Sequence, residues 1–353
     1  MRRTNGVGRA LLPALLTAAM AGVVAPTAVA AGPAACAWTP AGLPLPTGAL
    51  TGDVEAADGS GGYAGTISYG ADSARGGRAV LWKNGELTDY GNLADPAYQN
   101  WVEVTGVNVT GTVAGNAYRD ADGYPSAIHS RGGKMERLPE LPRAESSTAE
   151  GINARGDIVG GVEVTVNGEP TRRPVIWPAD KPGTVVKLTG FAGKRATATG
   201  IDQDGTVLVE VDGDDGRVPY LWKDGRARKL PLPAGAYDVI NRGIANGRVI
   251  GQVSYDSGDT SRGVLWDRDG LPRVVAGADD VRGINRDGQI VGRTDDPSWH
   301  EFGVWQQTTL GHTLRYAPDR GLELRASGDD GTIAGGSWTI PGGRNVPTVW
   351  TCR

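Results

Sequence analysis

Apolar and polar residues alternate with a period of two along most of this chain. Ala196-Thr197-Ala198-Thr199-Gly200-Ile201 alternates and predicts a half-buried strand a. Asp202 to Gly205 predicts a tight turn, because Asp bonds its own backbone and Gly accepts positive φ. Thr206 to Val211 is β-branched and predicts strand b. A variable polar loop follows, then a strand c ending in Tyr220-Leu221-Trp222. The turn Lys223-Asp224-Gly225 leads to a strand d at Arg228 to Leu232. No stretch carries a long 3.6-residue apolar period, so almost no helix is expected after the first thirty residues.

This unit recurs. Its turn glycines fall at 61, 111, 156, 205, 247, 288 and 331, between 41 and 50 residues apart. That spacing matches four-stranded propeller blades. The expected fold is therefore all-β, a seven-bladed β-propeller. Trp82, Trp177, Trp222, Trp266, Trp305 and Trp350 recur once per unit. They are read as packing between neighbouring sheets, and His129 is assigned the equivalent slot in the second unit.

The last unit ends just after Trp350 and has no strand d. Leu43-Pro44-Leu45-Pro46-Thr47-Gly48-Ala49 repeats Leu230-Pro231-Leu232-Pro233-Ala234-Gly235-Ala236 of the fourth unit. Residues 31–50 should thus complete the last blade and close the ring formed by 51–353. On the same template Cys36 and Cys352 fall next to Trp positions, so the two ends meet. A Cys36–Cys352 disulfide is expected in an oxidising compartment.

The string G-I-N-x-x-G-x-I-V-G appears at Gly151 to Gly160 and at Gly283 to Gly292. Followed by a strand ending in Trp, it resembles the HAF-type bacterial extracellular repeat proteins. The likeness covers about residues 51–353 and is best at 147–177, 196–222 and 280–305. It implies secretion and a propeller-like fold, and it implies no chemistry. Three positions depart from the pattern. Val209 stands for a motif Gly, Asp58 for the motif Asn, and Arg242 to Gly247 is one residue short, which leaves the pairing of units one and five open.

Composition adds a compartment. Residues 1–30 hold Arg2, Arg3 and Arg9, an apolar run Ala10 to Val24, and Ala28-Val29-Ala30. This reads as a secretory signal peptide, with a secreted, extracellular product. Lipoprotein processing at Cys36 is the weaker alternative, because Pro33 fits a lipobox poorly. No later run is long enough to span a membrane. Beyond residue 30 the chain has 36 − 3 = 33 basic and 40 acidic residues, a net charge of −7, which argues against a nucleic-acid binder. Two Cys cannot by themselves build a four-ligand zinc cage, three His leave little room for His-rich metal chemistry, and no cofactor is expected. Calcium stays open at Asp-x-Asp-Gly strings, foremost Asp120 and Asp122.

Catalytic motifs are mostly absent, with no G-x-S-x-G elbow, P-loop or H-E-x-x-H pair, so the search turns to the loops between strands b and c, which share one rim with the d-to-a loops. These carry Tyr118, Asp120 and Asp122 in the second unit, Tyr255 and Asp256 in the fifth, Trp299 and His300 in the sixth, and Trp338 in the seventh. Rings beside carboxylates suit a glycan or peptide ligand. The expected function is a monomeric, secreted binding or interaction module. One alternative is a secreted hydrolase or lyase using Asp120, Asp122, Asp295 or Glu301. The other is a purely structural envelope protein.

Overall fold

Residues 37–70, 76–255 and 260–353 are described by the computed structural model. Among them no segment is helical, and twenty-eight strands form seven four-stranded antiparallel sheets. In the fourth blade, strands Ala196–Ile201, Val207–Asp212, Arg217–Lys223 and Arg226–Lys229 pair in that order. The other blades repeat the order. Strand a is innermost in each: Thr51–Ala57, Tyr98–Val107, Ala144–Ile152, Ala196–Ile201, Ala236–Ala245, Ala278–Ile284 and Arg320–Ser327. Each inner strand packs on those of both neighbouring blades, and Arg320–Ser327 packs on Thr51–Ala57, so the ring is closed. No helix of the described residues is long and apolar enough to cross a membrane.

The closing strand is Trp38–Gly42, which pairs with Val346–Cys352 in the register Trp38↔Cys352 to Gly42↔Thr348. It lies ahead of the Leu-Pro-Leu-Pro segment, and the strand Arg226–Lys229 likewise precedes Leu230. Prolines donate no N–H, so the ladder ends at the leucine. Leu43 N donates to Pro347 O at 2.8 Å and Leu230 N to Pro219 O at 2.9 Å. The segment then lends its carbonyls to the next blade. Trp82 Nε1 donates to Pro44 O at 2.8 Å, Trp177 Nε1 to Pro139 O at 2.7 Å and Trp266 Nε1 to Pro231 O at 2.6 Å. Each such tryptophan buries its ring between two blades and satisfies its polar edge on the linker leading into its own blade. Cys36 and residues 1–30, where a signal peptide is expected, lie outside the described residues.

The repeat motif is legible in these contacts. Its first Gly sits at a β-bulge of strand a, for instance Ala149/Gly151 and Val281/Gly283. A Cβ at Gly283 would lie 2.8 Å from Arg325 O of the next inner strand. The motif Asn caps the a–b turn. Asn153 Oδ1 accepts from Arg155 N and Asp157 N, both at 3.0 Å. Asp58 does the same for Ser60 N and Gly62 N at 2.6 and 2.8 Å, which holds the first unit in register. The short fifth turn is a two-residue Asn246-Gly247 hairpin with φ of 50° and 75°.

Two assignments need correction. His129 does not occupy the tryptophan slot. Trp82 opposes Tyr63 and Trp177 opposes Ile158, and the matching residue opposite Val113 is Ser130, whose hydroxyl accepts Val113 N at 2.9 Å. His129 stands one place earlier, at the level of Leu81 and Ile176. Trp222 is also not a fully buried core residue. It is half-buried and rests beside Phe191, Val207 and Val209, whereas Trp266 and Trp305 are fully enclosed.

Candidate ligand-binding mouth of the central channel

The inner strands enclose a channel, and their alternate residues line it in tiers. Ala57, Val107, Ile152, Ile201, Ile244 and Ile284, with Ser327, form a mostly apolar tier next to the a–b turns. One pleat further in stand Glu55, Thr105, Glu150, Thr199, Arg242, Arg282 and Arg325. Charges alternate across four blades. Arg242 meets Asp280 at 3.0 Å, Asp280 meets Arg282 at 3.0 Å, and Arg282 meets Glu323. Glu323 meets Arg325 at 3.0 Å and Arg325 meets Glu55 at 2.6 Å. Burial opposes the charge on Glu323, but Arg325 and Arg282 outweigh it and hold the carboxyl below its ordinary value.

Blades 1 to 3 carry the surplus acid. Glu150 has its closest cation, Arg172, at 4.0 Å, and burial raises its pKa. Asp53 is raised to about 6 by burial, with Arg325 opposing the shift. Its Oδ2 accepts Asn345 Nδ2 at 2.6 Å, and its buried Oδ1 has no protein partner.

At the opposite mouth from the a–b turns these groups open into a pocket of about 360 Å³. Asp53, Glu55, Glu103, Trp101, Tyr118 and Arg325 line it. Tyr118 Oη donates to Glu103 Oε2 at 2.6 Å. Burial raises the Tyr118 pKa and the Glu103 carboxylate raises it further, so the phenol stays a donor. Trp101 is 43% exposed. It lies against Gly77, where a Cβ would approach the indole to 2.1 Å. The pocket thus combines a ring face, a phenol, three carboxylates and one guanidinium.

The predicted site residues divide among several places on this rim. Tyr118 is in the pocket. His300 stacks on Tyr316 at 4.4 Å with planes 16° apart, and Tyr316 meets Trp338 edge-on at 5.5 Å. His300 and Trp338 therefore share one aromatic cluster across blades 6 and 7. Trp299 turns the other way, under the Arg293 guanidinium at 4.2 Å, and is 61% exposed at φ 63°. Tyr255 is half-buried at a strand end. Asp120 is an exposed loop residue, and Asp122 closes its own turn by accepting Tyr124 N and Arg119 Nε. Asp256 lies outside the described residues.

Two carboxylates of the hydrolase alternative have other work. Glu301 is buried and paired with Arg315, and Asp122 holds Arg119. The Asp-x-Asp-Gly strings also serve turns. Asp267 Oδ1 accepts Asp269 N and Leu271 N at 3.1 and 3.0 Å. Asp202 accepts Asn246 N and Gly247 N of the next blade at 3.0 and 2.6 Å. Among the described residues no group of three His, Cys, Asp or Glu side chains is arranged to hold a metal ion.

Sequence reasoning missed Asp53, Glu103, Trp101 and Arg325. The available signal was charge at alternate positions of the innermost strands, as in Asp53-Val54-Glu55.

The fold has relatives of known structure. The chain superposes on one of two prolyl endopeptidases with a TM-score of 0.59 at 11% identity, covering 86% of itself and 50% of that protein. It thus spans half the length of that protein. A streptogramin B lyase matches with a TM-score of 0.55 at 13% identity, with 90% and 98% covered. A puromycin hydrolase mutant matches at 0.54 and 12% identity, with 84% and 53% covered. At these identities the likeness is one of fold: this chain is a β-propeller. No protein-family model matches it, and no curated protein does.

Proposed function

We propose that this protein is a secreted ligand-binding propeller of the HAF-type repeat group, and that its site is the channel mouth beside Trp101 and Tyr118. The observation that carries this is the pocket itself. A glycine-seated indole and a phenol stand over carboxylates inside a rigid ring. Such a site takes an extracellular glycan or peptide by stacking and hydrogen bonding. The His300–Tyr316–Trp338 cluster extends the ring-bearing surface along the same rim. Secretion rests on the first thirty residues, and the intact mass of the exported product tests it, with an amino terminus near Ala31 expected. The Cys36–Cys352 bond rests on the adjacency of Trp38 and Cys352 in the closing pair.

The test is a glycan, peptidoglycan-fragment and peptide binding screen on the mature chain, repeated with Trp101→Ala and Tyr118→Phe. A ligand lost on Trp101→Ala and kept by Trp222→Ala supports the reading. Ligands indifferent to both rim variants overturn it.

One observation favours a second reading, an enzyme. Asp53, raised to about 6, stands in one pocket with Glu55 and Glu103. A carboxyl with a raised pKa beside other carboxyl groups suits general acid–base work. The lyase neighbour is matched over 98% of its length, which supports a propeller of this size serving as an enzyme unaided. Turnover abolished by Asp53→Asn would favour this reading.

A further inference from the structure

Blade 2 departs from the repeat at the end of strand c. The other six blades end it with an aliphatic residue and Trp, as in Leu81-Trp82 and Leu265-Trp266. Blade 2 has His129-Ser130 instead. Alternate residues of this strand face opposite neighbours. Leu81 packs toward the next blade, in a core cluster with Val102 and Val104, so His129 faces blade 3.

Blade 3 departs too, on the facing side. Blades 1, 2, 4 and 6 join strands c and d by two residues, such as Asn84-Gly85 and Asp224-Gly225. Blade 3 uses eight, 178–185, before a two-residue strand d at Val186–Lys187. Between these two departures lies a cleft of about 800 Å³, on the face opposite the channel-mouth pocket. A packing defect would need one departure. Here two departures face each other across an open cleft.

We propose that this cleft binds a short neutral oligosaccharide. Its lining includes the buried apolar side chains Leu138, Ile158 and Trp177. Its walls offer Glu136, Glu140, Arg131, Arg155 and the Thr184 hydroxyl. The lining carries both signs, Glu136 and Glu140 with Arg131, Arg137 and Arg155, which disfavours a bare phosphate or a bare ammonium ion. A sugar matches this lining, since its C–H face covers apolar carbon and each hydroxyl both donates and accepts. Burial lowers the His129 pKa, so near neutral pH the imidazole offers one donor and one acceptor. The volume is that of a site for a ligand of two or three rings. The assignment is independent of the channel-mouth reading.

The test is calorimetric titration of the mature chain with chitotriose, cellotriose and maltotriose. At least one should bind. His129→Leu restores the repeat's own residue, so it should weaken that binding tenfold or more while leaving the melting temperature unchanged or higher. Replacing 178–185 by Asn-Gly should also remove binding. Trp101→Ala should leave it intact. Failure of all three sugars to bind, or unchanged affinity in His129→Leu, overturns the proposal. If Trp101→Ala removes binding and His129→Leu does not, the sugar sits at the channel mouth and the cleft assignment falls.

Discussion

Trp266→Ala should be the more damaging of two deletions that look equivalent in sequence. Trp266 is fully enclosed among Leu208, Leu230, Val239, Val249, Val253 and Val264, and its N–H meets Pro231 O at 2.6 Å. Deleting such an indole costs about 3–5 kcal/mol. Trp266→Phe keeps most of the packing and loses the donor, so it should cost about 1–2 kcal/mol. Trp222 is half-buried, and its N–H reaches Thr189 O at 3.0 Å near solvent. Part of its area is hydrated already, and water can replace the lost bond, so Trp222→Ala should cost roughly half as much. By scaling from domains of 150–250 residues, the fully buried deletion should lower the melting temperature by roughly 5–15 °C. Scanning calorimetry of the three variants with urea midpoints as a second probe gives the ranking. If Trp222→Ala melts as low as Trp266→Ala, inter-blade burial does not set the cost, and the packing argument fails.

Removing residues 37–49 takes away the strand paired with Val346–Cys352 and the Pro44 carbonyl under Trp82, so aggregation is expected by light scattering. Cys36→Ser should melt lower than oxidised wild type and match reduced wild type; no effect of reductant on wild type would remove the disulfide from the account. Asp53 titrates at about 6 in the fold against 3.8 as the ordinary value. Between those values the folded protein holds a proton that the unfolded chain has lost, so stability should fall as pH rises through that window and then level off. Asp53→Asn should remove that fall, melting with wild type at pH 4 and above it at pH 7. Trp299→Gly relieves a bulky side chain at φ 63°, so the melting temperature should hold or rise slightly by scanning calorimetry, and a ligand held at Trp101 and Tyr118 should bind as before.

The seven units, their strand order and the closing of the ring by the amino-terminal segment are carried by local chemistry. Alternation marks the strands, and turn glycines at 61, 111, 156, 205, 247, 288 and 331 all have positive φ. The tryptophan period marks the inter-blade layers. Each of these signals lies within one unit, so a linear reading finds it. The end of the closing strand was harder to place. Leucines 43 and 230 look like strand residues, but the prolines after them end the ladder.

The site is another matter. Loop composition pointed to Tyr118, His300, Trp299 and Trp338, yet these residues face three different neighbourhoods. Trp299 and His300 are adjacent in the chain yet meet different partners, Trp299 the Arg293 guanidinium and His300 the Tyr316 ring, with positive φ at Trp299 between them. The channel groups come from strands tens to hundreds of residues apart: Arg325 meets Glu55 only because the ring closes. The His129 cleft likewise exists only between two blades. The sequence by itself determined what each blade is, since backbone pairing and turn geometry are local. Only the tertiary structure decided which charges neutralise one another and which rings share a pocket. Those depend on distances across a closed ring, and separation along the chain does not encode them.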